Sequence, residues 1–403
     1  MHDISLKKAL EITTNNIQPL PAEDITIERL VGRVADEDIF SLVDSPSHDV
    51  SLKDGYAVKF EDIEMASEES PVYLRLKGSL MAGSSEHFVA AHDNAIKIMS
   101  GAVIPHGTEA VISNEFASDD GVSVRVVNNA MPGQNILPMG TDIKKDELIV
   151  EKGTRLRPTQ VGLIAAAGHS SARVYKNPRV TIIATGDEVL AVGTPFQKGK
   201  VFASNLITIS AWCSFYGMQS NTVIVKDEGD ALKDVLLHYV HESDYLITSG
   251  GAWTGERDLV IKILDSLGWR KLYHRVKIGP GKAIGFGLFK SKPVFCLPGG
   301  PPSNQIAFLE LALPGLLLLG GNKDYSLPTI EAMLGESVRG QNDWTQFIFG
   351  TLSREDNAIV FYSLKTTSRL QMMAKAEGII CIPEGKEYLR QGERVNVQML
   401  TGH

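Results

Sequence analysis

The sequence predicts a multidomain protein of the α/β plus β class, built around a central doubly wound α/β domain. Three observations carry this expectation. A length of 403 residues allows about two to four domains. Between Pro178 and about Gly321, near-continuous apolar runs alternate with amphipathic stretches, the pattern of a parallel sheet covered on both faces. On either side of that segment the chain falls back to period-two alternation, which describes half-exposed strands.

From Met1 to about Lys176 the strands are short, as in Val72-Tyr73-Leu74-Arg75-Leu76 and Val122-Ser123-Val124-Arg125-Val126, with turns such as Asp119-Asp120-Gly121 between them. Helices are expected at Leu6–Thr14 and from Pro158 to Ala167, the second with proline in its first turn and Gly168 beyond its end. The central stretch reads as strand 179–184, helix 204–215 closed by Gly217, strand 221–225, helix 231–241, strand 245–248, helix 258–267, then strand 294–297 leading into a helix near Ser303. From Pro328 onward, strands at 345–352, 358–362, 378–382 and 394–400 predict a small closed or nearly closed β domain. The sequence contains no internal repeat and no low-complexity segment.

Composition excludes several function classes. The net charge is −8, and a nucleic-acid or anionic-membrane protein would normally carry a basic stripe. Three widely spaced cysteines, Cys213, Cys296 and Cys381, exclude a disulfide scaffold and a thiolate zinc site and fit a reducing compartment. The first residues carry no apolar stretch of a signal peptide. The apolar run from Ile306 to Leu319, interrupted by Glu310 and Pro314, reads as a buried core helix too short for a bilayer. A soluble, cytoplasmic protein with no nucleic acid and no membrane partner is expected.

In an open α/β sheet, ligands bind beyond the carboxyl ends of the strands. Three strand ends carry unusual loops: Thr185-Gly186-Asp187-Glu188, the run Thr248 to Gly255, and Leu297-Pro298-Gly299-Gly300-Pro301-Pro302-Ser303. Glycine-rich backbone at a helix start exposes N–H groups to an anion, so a phosphate-bearing ligand suits all three on one sheet edge. Glu188, Asp227 and Asp258 fall at or near these ends and present two readings, hard oxygen ligands for Mg²⁺ or helix caps. Lys282, in Gly279-Pro280-Gly281-Lys282, reads as a phosphate contact or as a surface lysine. Walker and Rossmann signatures are absent, as are a nucleophile elbow and a zinc-protease motif. His238 and His241, three apart on one helix, read as a solvated face.

These residues carry a family resemblance. Asp54-Gly55-Tyr56-Ala57-Val58, the segment Ile98 to Pro105, and Thr185-Gly186-Asp187-Glu188 resemble the molybdopterin molybdenumtransferase family, which includes bacterial MoeA and the gephyrin E domain. Ser249-Gly250-Gly251, Gly255, Asp258, Pro280-Gly281-Lys282 and Leu297-Pro298-Gly299 with Pro301 and Ser303 follow in the family's order over nearly the whole chain. The resemblance implies a cytoplasmic homodimer of four-domain subunits. An N-terminal region over 1–176 would hold a helical dimerisation part and an inserted elongated β domain at about 54–140. A molybdopterin-binding α/β domain over 177–325 and a β-barrel over 326–403 would follow.

It also implies insertion of molybdate into adenylylated molybdopterin with release of AMP, assisted by Mg²⁺ at Glu188, Asp227 and Asp258. The active site would lie between the α/β domain of one subunit and the N-terminal region of its partner. Catalytic positions carried over are Asp54, Ser100, Asp142, Glu188, Asp227, Asp258 and Lys282. Ligand-binding positions are Ser249, Gly250, Gly251, Trp253, Gly281, Pro298, Gly299, Pro301, Ser303 and Ser368. Other cofactor-biosynthesis or recipient proteins are implied as further partners.

Several positions depart from the family pattern. Lys53 stands before Asp54 in place of methionine, Ser100 in place of threonine, and Trp253 where a small serine is usual. Gly279 and Ala283 flank Pro280-Gly281-Lys282 in place of lysine and proline, and Gly300 replaces asparagine. Phe349 and Leu137 stand at two positions usually held by arginine. Fewer cations beside unchanged carboxylates leave three alternatives at this level: weaker molybdate binding, another oxyanion such as tungstate, or a pterin-nucleotide-binding paralogue that inserts no metal. Trp253 either stacks on a ligand ring or fills the pocket.

Overall fold

The computed structural model describes residues 3–84, 86–251 and 259–400. The central sheet is six-stranded, in the order Gln219–Val225, Arg179–Thr185, Tyr245–Ser249, Lys292–Leu297, Gly285–Phe289 and Arg270–His274. The first four strands are mutually parallel, as their apolar runs predict. The last two pair antiparallel, so the sheet is mixed rather than wholly parallel. Strand Gly285–Phe289 escapes a periodicity reading because glycines interrupt it. Gly287 is required by packing, since a Cβ there would lie 2.4 Å from Trp269 Nε1.

Helices cover both faces of the sheet and enclose two cores, one around Ile182, Ile247 and Phe295, the other around Ile183, Leu246 and Val294. The first core also takes in the N-terminal helix Leu6–Asn15, which Ser5 caps by accepting from Lys8 N at 3.3 Å.

The apolar run is longer than its sequence suggests. Pro301–Leu319 forms 19 helical residues, the one helix among the described residues long and apolar enough to cross a membrane, and 83% of its apolar window is buried inside the protein. Its middle, Phe308–Ala312, widens into a π-turn. Pro314 would clash with the carbonyl four residues back in a regular helix, and the wide turn immediately before it absorbs that clash.

Upstream, a second six-stranded sheet runs in the order Ala110–Ser113, Gly55–Val58, Asn94–Ile98, Val72–Leu80, Ser123–Val126 and Ala117–Asp119, over its own core of Tyr56, Leu74, Ile112 and Val124. Strand Ala22–Thr26 pairs with Ser171–Tyr175, and helix Pro158–Ala166 packs Ile164 beside Leu30 and Val174.

Downstream, Thr345–Glu355, Ala358–Ser363, Thr329–Leu334, Arg394–Met399 and Gly378–Ile382 close into a five-stranded barrel, because Gly378–Ile382 pairs again with Thr345–Glu355. Phe349 points into the core and is 3% exposed. The short strand Ile278–Gly279 joins the barrel in parallel at Thr345, which ties the start of the Pro280-Gly281-Lys282 turn to the barrel.

Candidate active site

Each expected loop ends a parallel strand on the same sheet edge. Gly186 (φ +148) follows strand Arg179–Thr185, and a Cβ there would lie 2.7 Å from Glu188 Oε2. Only glycine lets the Glu188 carboxylate fold back over this turn. Strand Tyr245–Ser249 passes into Gly250 and Gly251, and strand Lys292–Leu297 into Pro298-Gly299-Gly300 ahead of the core helix. Asp227 lies on the loop after Gln219–Val225, where its backbone N–H donates to Asp187 Oδ1 at 3.4 Å.

Two asparagines fasten the loops to one another. Asn304 Nδ2 donates to Ser249 Oγ at 3.0 Å and to the Pro298 carbonyl at 2.9 Å. Asn205 Nδ2 donates to the Gly299 carbonyl at 2.8 Å and to Ser249 Oγ at 3.3 Å. The Ser249 hydroxyl accepts from both and keeps only its proton to offer a ligand. Sequence reading missed both asparagines, because an asparagine in the first turn of a helix reads as local capping.

The loops enclose a cleft of about 800 Å³ that brings together Thr185, Glu188, Asp227, Gly250, Gly251, Gly281, Lys282, Pro298, Gly299 and Ser303. Lys282 is half-buried, with Nζ 3.0 Å from Asp3 Oδ2 and 3.8 Å from the centre of the Trp344 ring. It is thus neither a free surface lysine nor an uncompensated charge. Lys277, two positions before Gly279, pairs with Glu384 at 2.7 Å. Trp344 was not legible as a site residue; it reaches the cleft on the barrel segment that precedes strand Thr345–Glu355.

A second cavity of about 650 Å³ shares Thr185, Glu188, Gly250 and Gly299 with the first and adds Ser249, Pro301 and Ser368. It also holds Lys200, Asn205, Arg369, Phe196 and Phe202, none of which sequence reading singled out. Lys200, Phe196 and Phe202 come from a flap in which Val189–Leu190 pairs with Val201–Phe202.

Other expected positions lie elsewhere. The Ser100 N–H donates to Asp54 Oδ1 at 2.7 Å, and the Asp142 N–H donates to the Ser45 carbonyl at 2.9 Å. All three residues are exposed, and none lines either cavity within one chain. Trp253 and Asp258 lie outside the described residues. Among the described residues no group of three His, Cys, Asp or Glu side chains could hold a metal ion. His238 and His241 are exposed, and His241 Nε2 lies 3.0 Å from Lys290 Nζ.

Thr185 lines both cavities and is only 5% exposed, and its buried Oγ1 has no hydrogen-bond partner among the described residues. A buried hydroxyl left unpaired is costly, so its retention points to a ligand atom. Thr185→Val is expected to leave thermal stability equal or up to about 1 kcal/mol higher while weakening binding of inorganic phosphate several-fold in calorimetric titration. Lower stability with unchanged affinity would assign the hydroxyl to the fold.

Three segments match described families. Residues 4–168 match the MoeA N-terminal region (domain I and II), 181–317 a probable molybdopterin binding domain, and 331–400 the MoeA C-terminal region (domain IV). A molybdopterin molybdenumtransferase of Haemophilus influenzae is 30% identical over 387 residues, covering 94% of each chain. Molybdopterin molybdenumtransferase 2 of Mycobacterium tuberculosis is 30% identical over 386 residues, 94% of this chain and 95% of that one. Among solved structures, a molybdopterin biosynthesis MoeA protein from Pyrococcus horikoshii superposes with a TM-score of 0.83 at 32% identity, covering 100% of both chains.

Proposed function

The chain belongs to the molybdopterin molybdenumtransferase family and is a transferase of molybdenum cofactor biosynthesis; from that premise we propose that it inserts molybdate into adenylylated molybdopterin and releases AMP. The observation that carries this reading is the convergence of three strand-end loops on one cleft whose walls hold Glu188, Asp227 and Lys282 together. Relatives that carry the transferase name over nearly their whole length favour an enzyme over a binding protein without turnover.

The chemistry of two carboxylates supports Mg²⁺ as the ion in this proposal. Glu188 and Asp227 offer hard carboxylate oxygens, and Thr185, whose Oγ1 has no partner among the described residues, lines the same cleft. Glu188 and Asp227, with Asp258 as the third carboxylate, would hold the ion. Bound there, Mg²⁺ would supply positive charge to phosphate oxygens. The chain's own residues do the rest. Gly250, Gly251 and Gly299 bring backbone close to the ligand without side-chain bulk, beside Pro298, Pro301, Ser249, Ser303 and Ser368. Release of AMP breaks a phosphoanhydride bond, and Lys282 faces the cleft where charge then develops on the leaving phosphate.

Asp54, Ser100 and Asp142 belong, in this reading, to the same site across a cytoplasmic homodimer. Apolar side chains exposed in the N-terminal region, Phe40 at 47%, Leu42 at 54% and Val43 at 41%, support a covered surface there. Light scattering after gel filtration tests the dimer. For the reaction, the protein is incubated with adenylylated molybdopterin, Mg²⁺ and molybdate, and AMP is measured. AMP release that needs both ions is expected, and Glu188→Gln should slow it about 100-fold or more. Absence of AMP at every molybdate concentration sinks the reading, and tungstate in the same assay decides the choice of oxyanion.

A further inference from the structure

The cleft that holds Lys282 is poorly provided with free positive charge. Lys282 is its one cationic lining residue among those described, and Asp3 compensates it at 3.0 Å while the Trp344 ring covers it at 3.8 Å. Lys277 is compensated by Glu384, and Phe349 is buried in the core. A multiply charged oxyanion needs cationic donors that are not already spent on carboxylates.

Such donors stand in the adjoining cavity. Lys200 and Arg369 both line it, and among the described residues no carboxylate forms an ion pair with either. Lys200 Nζ donates to the Asp187 carbonyl, a bond that fixes the ammonium without neutralising it. Arg369 is exposed beside Ser368, so its guanidinium is free to reach a ligand. An independent observation points to a ligand here: Thr185 also lines this cavity, is 5% exposed, and keeps a buried Oγ1 with no hydrogen-bond partner among the described residues.

We propose that Lys200 and Arg369 form an oxyanion-binding pair of this chain, so that a tetrahedral dianion is held in the second cavity. The assignment rests on the pterin-nucleotide reading only for the identity of the anion, which is either molybdate itself or the phosphate of the nucleotide. Both present the same chemistry, oxygen atoms in a tetrahedron that accept from a guanidinium fork and an ammonium.

Calorimetric titration of the full chain with molybdate, tungstate, inorganic phosphate and AMP tests this. Arg369→Ala and Lys200→Ala should each weaken the bound anion about tenfold or more, Arg369→Lys should recover only part of that loss, and the salt dependence of binding should flatten in the alanine variants. Thermal melts of the same variants, expected within a degree of the parent, separate lost contact from lost fold. Weakening of molybdate alone assigns the pair to the metal oxyanion, and weakening of AMP alone assigns it to the nucleotide phosphate. Unchanged affinity for every anion in both alanine variants overturns the proposal, as does a parent protein that binds none of them. Anion binding that depends on Arg369 in a protein that releases no AMP from adenylylated molybdopterin would overturn the proposed reaction and leave this assignment standing.

Discussion

Glu310→Gln is expected to raise the stability of this protein by about 3 kcal/mol at about pH 8 and to change it little at about pH 4. The residue sits in the π-turn of the core helix, facing the barrel strand Arg394–Met399. Gln398 Nε2 donates to Glu310 Oε2 at 3.3 Å, and Oε1 of each residue is sealed from solvent without a partner. Burial is the main cause that pushes the Glu310 carboxyl up from 4.5 to about 7, against the weaker opposing pull of the Gln398 bond. Cys381 lies on the neighbouring strand, its thiol pushed up to about 11 chiefly by burial and secondarily by Glu310.

The sign follows from proton linkage. Below its ordinary value the carboxyl is protonated in folded and unfolded chains alike and costs nothing. As pH rises from 4.5 to about 7 the unfolded chain loses the proton first, so stability falls, and above about 7 the full penalty is present. The span between those values corresponds to about 3 kcal/mol. A glutamine carries the donor that the pair lacks and no charge. Calorimetric melting of parent and variant across that pH range should show the two curves diverging upward from about pH 5. Parallel curves would mean that Glu310 is solvated or paired in the folded protein.

The strands that frame the site are legible in the sequence because their residues are β-branched and buried on both faces, as in Val180-Thr181-Ile182-Ile183. The site's outline is legible because glycine and carboxylate loops follow them. What stays hidden is whatever depends on contact between distant segments. Nothing around Lys282 announces that Asp3 lies 3.0 Å from it. The flap that carries Lys200 and Phe202 reads as a glycine and proline loop, since its strands Val189–Leu190 and Val201–Phe202 are two residues each. Arg369 looks like any helix-start residue until the barrel closes and brings it to the edge of the central sheet. The pairing of Asp54 with the Ser100 backbone likewise needs two strands of the N-terminal sheet to meet, although each residue is part of a recognisable motif.

Gly250→Ala has the largest expected effect on the site itself. Gly250 adopts φ +101, a conformation that strains any residue with a Cβ, and the added atom would lie 2.8 Å from the Thr185 carbonyl oxygen. That oxygen cannot retreat. It ends strand Arg179–Thr185, which is paired on one side by Gln219–Val225 and on the other by Tyr245–Ser249, while the Gly250 N–H donates to the Leu297 carbonyl at 3.1 Å. The three strand ends must therefore spread, and the wall shared by the two cavities opens with them. A loss of roughly 2–4 kcal/mol in stability is expected, from backbone strain and overpacking together. Binding of AMP should disappear with it. Gly193→Ala separates the two causes: φ is +90 there, but a Cβ would meet nothing within 4 Å. That control should lose only the strain, about 1–2 kcal/mol, and it lies outside both cavities. Should Gly250→Ala match Gly193→Ala in both melting and AMP affinity, the close approach of the strand ends would not be what shapes the site.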